Sequence, residues 1–148
     1  MIERFETFTV LINRVSRSIR KIKNGEMEEY GLRSAHVSCL YYIYLTNGIT
    51  ATELCDKCEE DKATISRAIE YLEGRGLITR ESVGGKKYKS PIYLTEEGTK
   101  IGKSIDDKID YVLAQTSVGL SDEEREEFYR CLTVISNSLD KLAKNYEK

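Results

Sequence analysis

The sequence is poor in the residues that interrupt or specialise a chain. Its 148 residues include a single proline, Pro91, which lies outside every long periodic segment. No stretch rich in proline, serine or glycine forms a linker, so residues 1–148 read as one domain with enough chain to bury a core. There is no signal peptide, and no apolar run approaches the roughly 20 residues that a membrane-spanning helix needs. A soluble, cytoplasmic protein with no membrane partner is expected. The one histidine, His36, has no partner identifiable from spacing. No nucleophile and base pair, carboxylate dyad or metal cluster emerges, so neither enzyme chemistry nor a cofactor is expected.

One string comes close to a phosphate-binding loop and fails. Gly98-Thr99-Lys100-Ile101-Gly102-Lys103-Ser104 follows an expected strand, but its glycines are one residue too close together for the motif. Ile101 also belongs to a helical apolar stripe. An ordinary helix start is the better reading, and ATP-binding chemistry falls away with the motif.

Charge is plentiful, and its distribution says more than its net value of −2. Residues 61–89 hold seven basic against four acidic side chains, whereas residues 96–148 hold eight basic against twelve acidic. A polyanion partner should therefore meet the middle of the chain. There, Asp61 to Gly76 reads as a helix whose Ile65, Ala68, Ile69 and Leu72 fall at i, i+3, i+4 and i+7. Asp61 is its expected cap, and Gly74 and Gly76 supply the left-handed conformations that end helices. The outer face carries Lys62, Thr64, Ser66, Arg67, Glu70 and Tyr71 in place of an ordinary Glu/Lys lattice.

The flanking segments give that helix a context. Phe5, Phe8, Ile12, Val15, Ile19 and Ile22 repeat as in a helix packed on a partner helix, with Gly25 as its close. Ser34 is the expected cap of a second helix running to about Leu45. Thr50 or Thr52 caps a short third helix, Ala51 to Cys58. Two short helices with a tight connection, the second presenting polar residues, form a helix-turn-helix pattern. Leu77 to Val83 then reads as a strand, Gly84-Gly85 as a turn and Ser90 to Leu94 as the returning strand. Lys86, Lys87, Tyr88 and Lys89 lie between them, as in a wing that grips phosphates or probes the minor groove. Thr95 caps a helix with the stripe Ile101, Ile105, Ile109, Val112 and Leu113. A capping box at Ser121 to Glu124 opens the last helix, which carries Phe128, Leu132, Ile135, Leu139, Leu142 and Tyr146. Terminal helices with such stripes should dimerise, and a two-fold dimer would set two recognition helices roughly 34 Å apart, on an inverted repeat of double-stranded DNA.

The order of elements and three local strings resemble the MarR family of winged helix-turn-helix transcription regulators. The strings are Asp61-Lys62-Ala63-Thr64-Ile65-Ser66-Arg67, Leu72 to Arg80, and Pro91 to Gly98. The resemblance covers essentially the whole chain. It implies a mainly α fold with a small β-hairpin, a DNA-binding lobe over residues 34–95, and dimerisation helices over residues 1–33 and 96–148. It also implies a homodimeric repressor released by a small-molecule effector or by cysteine oxidation. The candidate DNA-binding residues are Thr52, Lys62, Ala63, Thr64, Ser66, Arg67, Tyr71, Arg80, Lys86, Lys87, Tyr88 and Lys89. Arg67 is the leading base reader, because arginine pairs bidentately with guanine. The chain departs from the family at the wing tip, where Lys86-Lys87-Tyr88 stands in place of Asp-x-Arg. Lysine lacks the planar fork of arginine, so backbone grip with weaker readout of groove width is expected. Glu59 and Glu60 would repel phosphates if they faced the duplex.

Three signals have competing readings. Cys55 and Cys58 form a CxxC, with His36 and Cys39 at i, i+3 nearby, which invites zinc or redox chemistry. Both CxxC cysteines lie on apolar positions of a helix, so buried core is the favoured reading and no metal is assigned. Tyr41, Tyr42, Tyr44 and Tyr111 could line a ligand cavity, although aromatics at helical spacing more often form core. A helical interaction protein, docking protein through the same winged helix, is the alternative to DNA binding. Salt-dependent binding to an inverted-repeat duplex separates the two.

Overall fold

The computed structural model describes residues 3–4, 6–81 and 89–147. Phe5 of the first stripe, the Gly84-Gly85 turn and the wing residues Lys86, Lys87 and Tyr88 lie outside the described residues. The chain divides into two compact units, Met1–Lys108 and Ile109–Lys148. Among the described residues, no helix is long and apolar enough to cross a membrane.

In the first unit, a π-helical turn, Glu6–Leu11, runs into α1 (Ile12–Glu26). Gly25 does not close this helix, which carries on to Glu26; the chain reverses later, at Gly31 with φ +70°. Helix α2 (Ser34–Leu45) has Arg33 rather than Ser34 in its cap position. Its first donors find partners all the same. His36 Nδ1 accepts the Arg33 N–H at 3.0 Å, and Asn24 Oδ1 of α1 accepts the Ser34 N–H at 2.7 Å. Helices α3 (Ala51–Cys58) and α4 (Lys62–Gly74) follow, then β1 (Ile78–Arg80), β2 (Ile92–Leu94) and α5 (Glu96–Thr116).

The apolar pattern places the core where these elements meet. Helix α2 packs on α1, α3, α4 and β2, and α4 packs on α3 and β1. Leu40, Ile43, Leu54, Ile65, Ile69, Leu72, Ile78 and Ile92 are buried between them. Burying each such side chain contributes about 1.5–3 kcal/mol. Strands β1 and β2 pair antiparallel with Ile78 opposite Leu94 and Arg80 opposite Ile92. Ile49 adds an antiparallel bridge to Ile92, whose N–H donates to the Ile49 carbonyl at 2.9 Å. The segment leading into α3 is thereby tied to the sheet, a link that two isolated residues do not announce in a sequence.

The second unit holds the end of α5, a turn at Ser117–Gly119 and α6 (Asp122–Ala143). Ser121 and Glu124 close a capping box by exchanging backbone and side-chain bonds at 2.8 and 3.1 Å. Phe128, Leu132, Leu139 and Leu142 are exposed along α6, as are Phe8, Ile12, Val15, Ile19 and Ile22 along the N-terminal helix.

Candidate nucleic-acid interface

Two capping interactions orient the helix-turn-helix. Thr50 Oγ1 accepts the Glu53 N–H at 3.3 Å and Glu53 Oε2 accepts the Thr50 N–H at 2.8 Å, so α3 starts in a capping box. Helix α3 ends at Cys58 with Glu59 in the left-handed region, φ 52°. This bend lets Asp61 open α4, its Oδ1 accepting the Thr64 N–H at 2.7 Å. That bond holds the Asp61 carboxyl below the usual carboxylate range. With Ile65, Ala68, Ile69 and Leu72 buried, the opposite side of α4 faces outward.

The N-terminal half of that face brings together five candidates. Lys62, Ala63, Ser66 and Arg67 are exposed, and Thr64 is half-buried among them. Arg67 Nη2 donates to Thr64 Oγ1 at 3.4 Å, which lays the guanidinium along the helix surface. Thr52 is exposed on the first turn of α3, and Lys89 is exposed just ahead of β2. Glu59 is exposed beside the turn, while Glu60 is half-buried.

Two further candidates, Tyr71 and Arg80, also make contacts within the protein. Tyr71 donates its hydroxyl proton to the Gly31 carbonyl at 2.6 Å and stacks on His36 with ring centroids 4.3 Å apart. Arg75 completes a clamp, donating to the Tyr71 hydroxyl at 2.8 Å and to the Tyr30 carbonyl at 2.9 Å. A side chain at Gly31 would bring its Cβ within 2.8 Å of Arg75 Nη1, so the glycine serves both the turn and the clamp. Tyr71 thus ties α4 to the loop before α2. Arg80 is largely buried and donates through Nε and Nη2 to the two Glu73 carboxylate oxygens at 2.8 and 3.1 Å. This fork joins β1 to α4. Arg75 was overlooked as an organising residue; its i, i+4 spacing from Tyr71 was the available signal.

Tyr41, Tyr42 and Tyr44 are half-buried on α2. Tyr44 lies against Gly102, and Tyr41 meets Tyr42 edge-on at 5.5 Å. An open groove of about 830 Å³ runs along the N-terminal helical segment, past Thr9, Asn13, Arg17 and Arg20. Among the described residues, no group of three or more His, Cys, Asp or Glu side chains is set to hold a metal.

A helix-turn-helix followed by a two-stranded hairpin also defines the family whose sequence model fits this chain. The MarR family model matches residues 30–87, which span α2, α3, α4 and β1. Over these residues the chain is similar to MarR-family proteins. Members of the MarR family are DNA-binding transcription regulators rather than enzymes. The chain is 29% identical over 117 residues to the uncharacterized HTH-type transcriptional regulator YwoH of Bacillus subtilis, covering 79% of this chain and 85% of that protein. It superposes on the MepR–DNA complex of S. aureus with a TM-score of 0.80 at 22% identity, covering 93% and 99% of the two chains. A SlyA-like transcription regulator from Listeria monocytogenes gives 0.81 at 25% identity, covering 94% and 90%. The MarR winged helix accounts for the clustering of outward polar residues on α4, because the fold spends the opposite face of that helix on its core.

Proposed function

We propose that this protein is a MarR-family regulator, a homodimeric repressor that reads an inverted-repeat operator through α4. The observation that carries the reading is the outward row Lys62, Ala63, Thr64, Ser66 and Arg67, exposed or half-exposed on a helix whose other face is core. Arg67 reads a base edge, the hydroxyls of Thr64 and Ser66 contact bases or phosphates, and Lys62, Thr52 and Lys89 contact the backbone. Lys86, Lys87 and Tyr88 extend the grip as a wing. Tyr71 and Arg80 position α4 and β1.

The exposed stripes on α1 and α6 support association with a second copy, since rows of large apolar side chains left in water form the seam of a helical dimer. Release by a small-molecule effector or by thiol oxidation completes the cycle. The MepR–DNA complex supports DNA as partner by fold likeness. Selection of bound duplexes from a random pool tests the reading as a whole. A palindromic consensus with salt-dependent affinity is expected, and binding that ignores both sequence and salt would sink it. Light scattering tests the dimer separately.

A further inference from the structure

Helix α4 carries two acids, Glu70 and Glu73, both exposed, and they face different things. Glu73 holds the Arg80 fork from β1, at 2.8 and 3.1 Å. Among the described residues Glu70 accepts no hydrogen bond. The charge of Arg80 bears on it, but the guanidinium gives its Nε and Nη2 to Glu73. A carboxylate left outward on a helix that approaches phosphates needs a reason.

Helical phase supplies the first part of one. An α-helix turns by about 100° per residue, so the buried stripe of Ile65, Ala68, Ile69 and Leu72 fixes which residues stand directly opposite. They are Ala63, Arg67, Glu70 and Gly74, at i, i+4, i+7 and i+11, and all four are exposed. Lys62 and Ser66 flank this ridge on one side, Thr64 and Tyr71 on the other. A helix lying in the major groove turns its central ridge to the base edges and its flanks to the phosphate walls. Ala63 and Gly74 are small, so neither end of the ridge holds the helix away from the groove floor. Arg67 and Glu70 are the two ridge side chains long enough to reach in.

Base chemistry supplies the rest. Near phosphates the carboxylate lowers affinity for every sequence alike, and it recovers that loss only where a base presents a donor. Guanine offers the acceptors N7 and O6, and thymine the acceptor O4 beside a methyl group, so both repel it. Adenine sets its N6 amino group next to the acceptor N7. Cytosine alone presents an amino donor, N4, with no acceptor on its own edge.

We infer that Glu70 is a specificity-determining residue that accepts from the N4 amino group of a cytosine in each operator half-site, beside the guanine bound by Arg67. The inference rests on the proposed role of α4 as the DNA reader. Residues three apart on a helix differ in height by about 4.5 Å, close to one base-pair step of about 3.4 Å. The cytosine therefore belongs to the same base pair as that guanine or to an adjacent one.

The test puts the full-length parent, Glu70→Gln and Glu70→Ala through duplex selection from a random pool. The parent consensus, its single-base variants and a scrambled duplex are then titrated at fixed salt. The parent should select a cytosine within one base pair of the guanine whose selection is lost in Arg67→Ala. Replacing that cytosine should weaken parent binding by about fivefold or more per half-site. In Glu70→Gln the preference there should move to adenine, whose N6 and N7 suit an amide. In Glu70→Ala it should flatten, and the scrambled duplex should bind up to about fivefold more tightly, because a repulsive charge is gone. Each change should appear in both halves of the repeat. A consensus that both variants reproduce base for base overturns base reading by Glu70 and leaves α4 as the reader. So does a Glu70→Ala protein that loses affinity equally for the consensus and the scrambled duplex. A parent protein that enriches no sequence overturns the DNA-reading proposal, and this inference with it.

Discussion

Replacing Gly98 with alanine should destabilise the protein although alanine is the better helix former. Gly98 lies buried in the first turn of α5, against the entry to β1. A Cβ there would sit 1.9 Å from the Leu77 carbonyl oxygen, 2.9 Å from its carbon and 3.3 Å from Leu94 Cδ2. The obstacle is chiefly backbone, so no rotamer change relieves it. That same carbonyl accepts the Thr95 N–H at 3.0 Å, and Thr95 Oγ1 donates to the Gly76 carbonyl at 2.7 Å. Lifting α5 to admit a methyl group breaks both bonds at about 1 kcal/mol each, and overpacking adds about 1–3 kcal/mol. Helix propensity returns only about 1 kcal/mol, which leaves a net loss of about 2–4 kcal/mol. For a chain of this size, that lowers Tm by roughly 5–15 °C. Circular dichroism melts should be compared at one protein concentration, because association shifts the midpoint. Gly74→Ala is the control: it ends α4 with nothing within 4 Å of an added Cβ, and it should be neutral or stabilising by up to about 1 kcal/mol. Should Gly98→Ala melt with the parent protein, or should both variants shift the same way, the tight approach of α5 to β1 would be refuted.

Four further outcomes are expected. Arg67→Ala should cost about 1–3 kcal/mol against a selected operator at fixed salt, with the melting curve unchanged; full affinity would remove Arg67 as the base reader. Tyr71→Phe loses the bonds to Gly31 and Arg75, so it should lower stability by about 1 kcal/mol in urea titrations while operator affinity stays near the parent value. The Thr64 N–H stabilises ionised Asp61, so this cap acts at neutral pH and fades as pH falls through the depressed carboxyl value. Asp61→Asn should keep the cap and flatten that acid loss, which melts across acidic pH would show. His36 is pulled below the ordinary histidine range by burial and then by Arg33 and Arg75. Its neutral form accepts the Arg33 N–H, so stability is full above the ordinary histidine value and declines as pH drops below it. Because the chain has one histidine, an NMR titration reads it directly, and an ordinary or raised value would contradict the clamp geometry.

The starts of helices α3, α4 and α6 were legible in the sequence, for local reasons. Thr50, Asp61 and Ser121 each sit where a side-chain oxygen meets an orphan N–H, and the apolar positions recur at helical spacing. The ends governed by distant contacts were harder. Gly25 looks like a stop but lies within α1, and of the two glycines expected to end α4 Gly74 is its last residue while Gly76, at φ +69°, is left-handed. Helix α2 begins at Ser34, the expected cap, and its cap position falls one residue earlier at Arg33, where His36 accepts the Arg33 N–H and Asn24 the Ser34 N–H. In the candidate interface, helical phase placed Lys62, Thr64, Ser66, Arg67, Glu70 and Tyr71 on the outer face of α4, and all are exposed or half-buried there. Tyr71 and Arg80 share that phase or charge, and nothing in their own neighbourhoods reveals Gly31 or the Glu73 fork.

From its sequence alone, this chain determines that a helix beginning at Asp61 has one apolar face and one polar face rich in hydroxyls and cations. Capping and periodicity act over a few residues, so adjacent letters contain them. The tertiary structure alone decides which of the polar residues also act as clamps within the fold. Those choices depend on groups brought from Gly31 and Glu73, and only the packed core places them in contact.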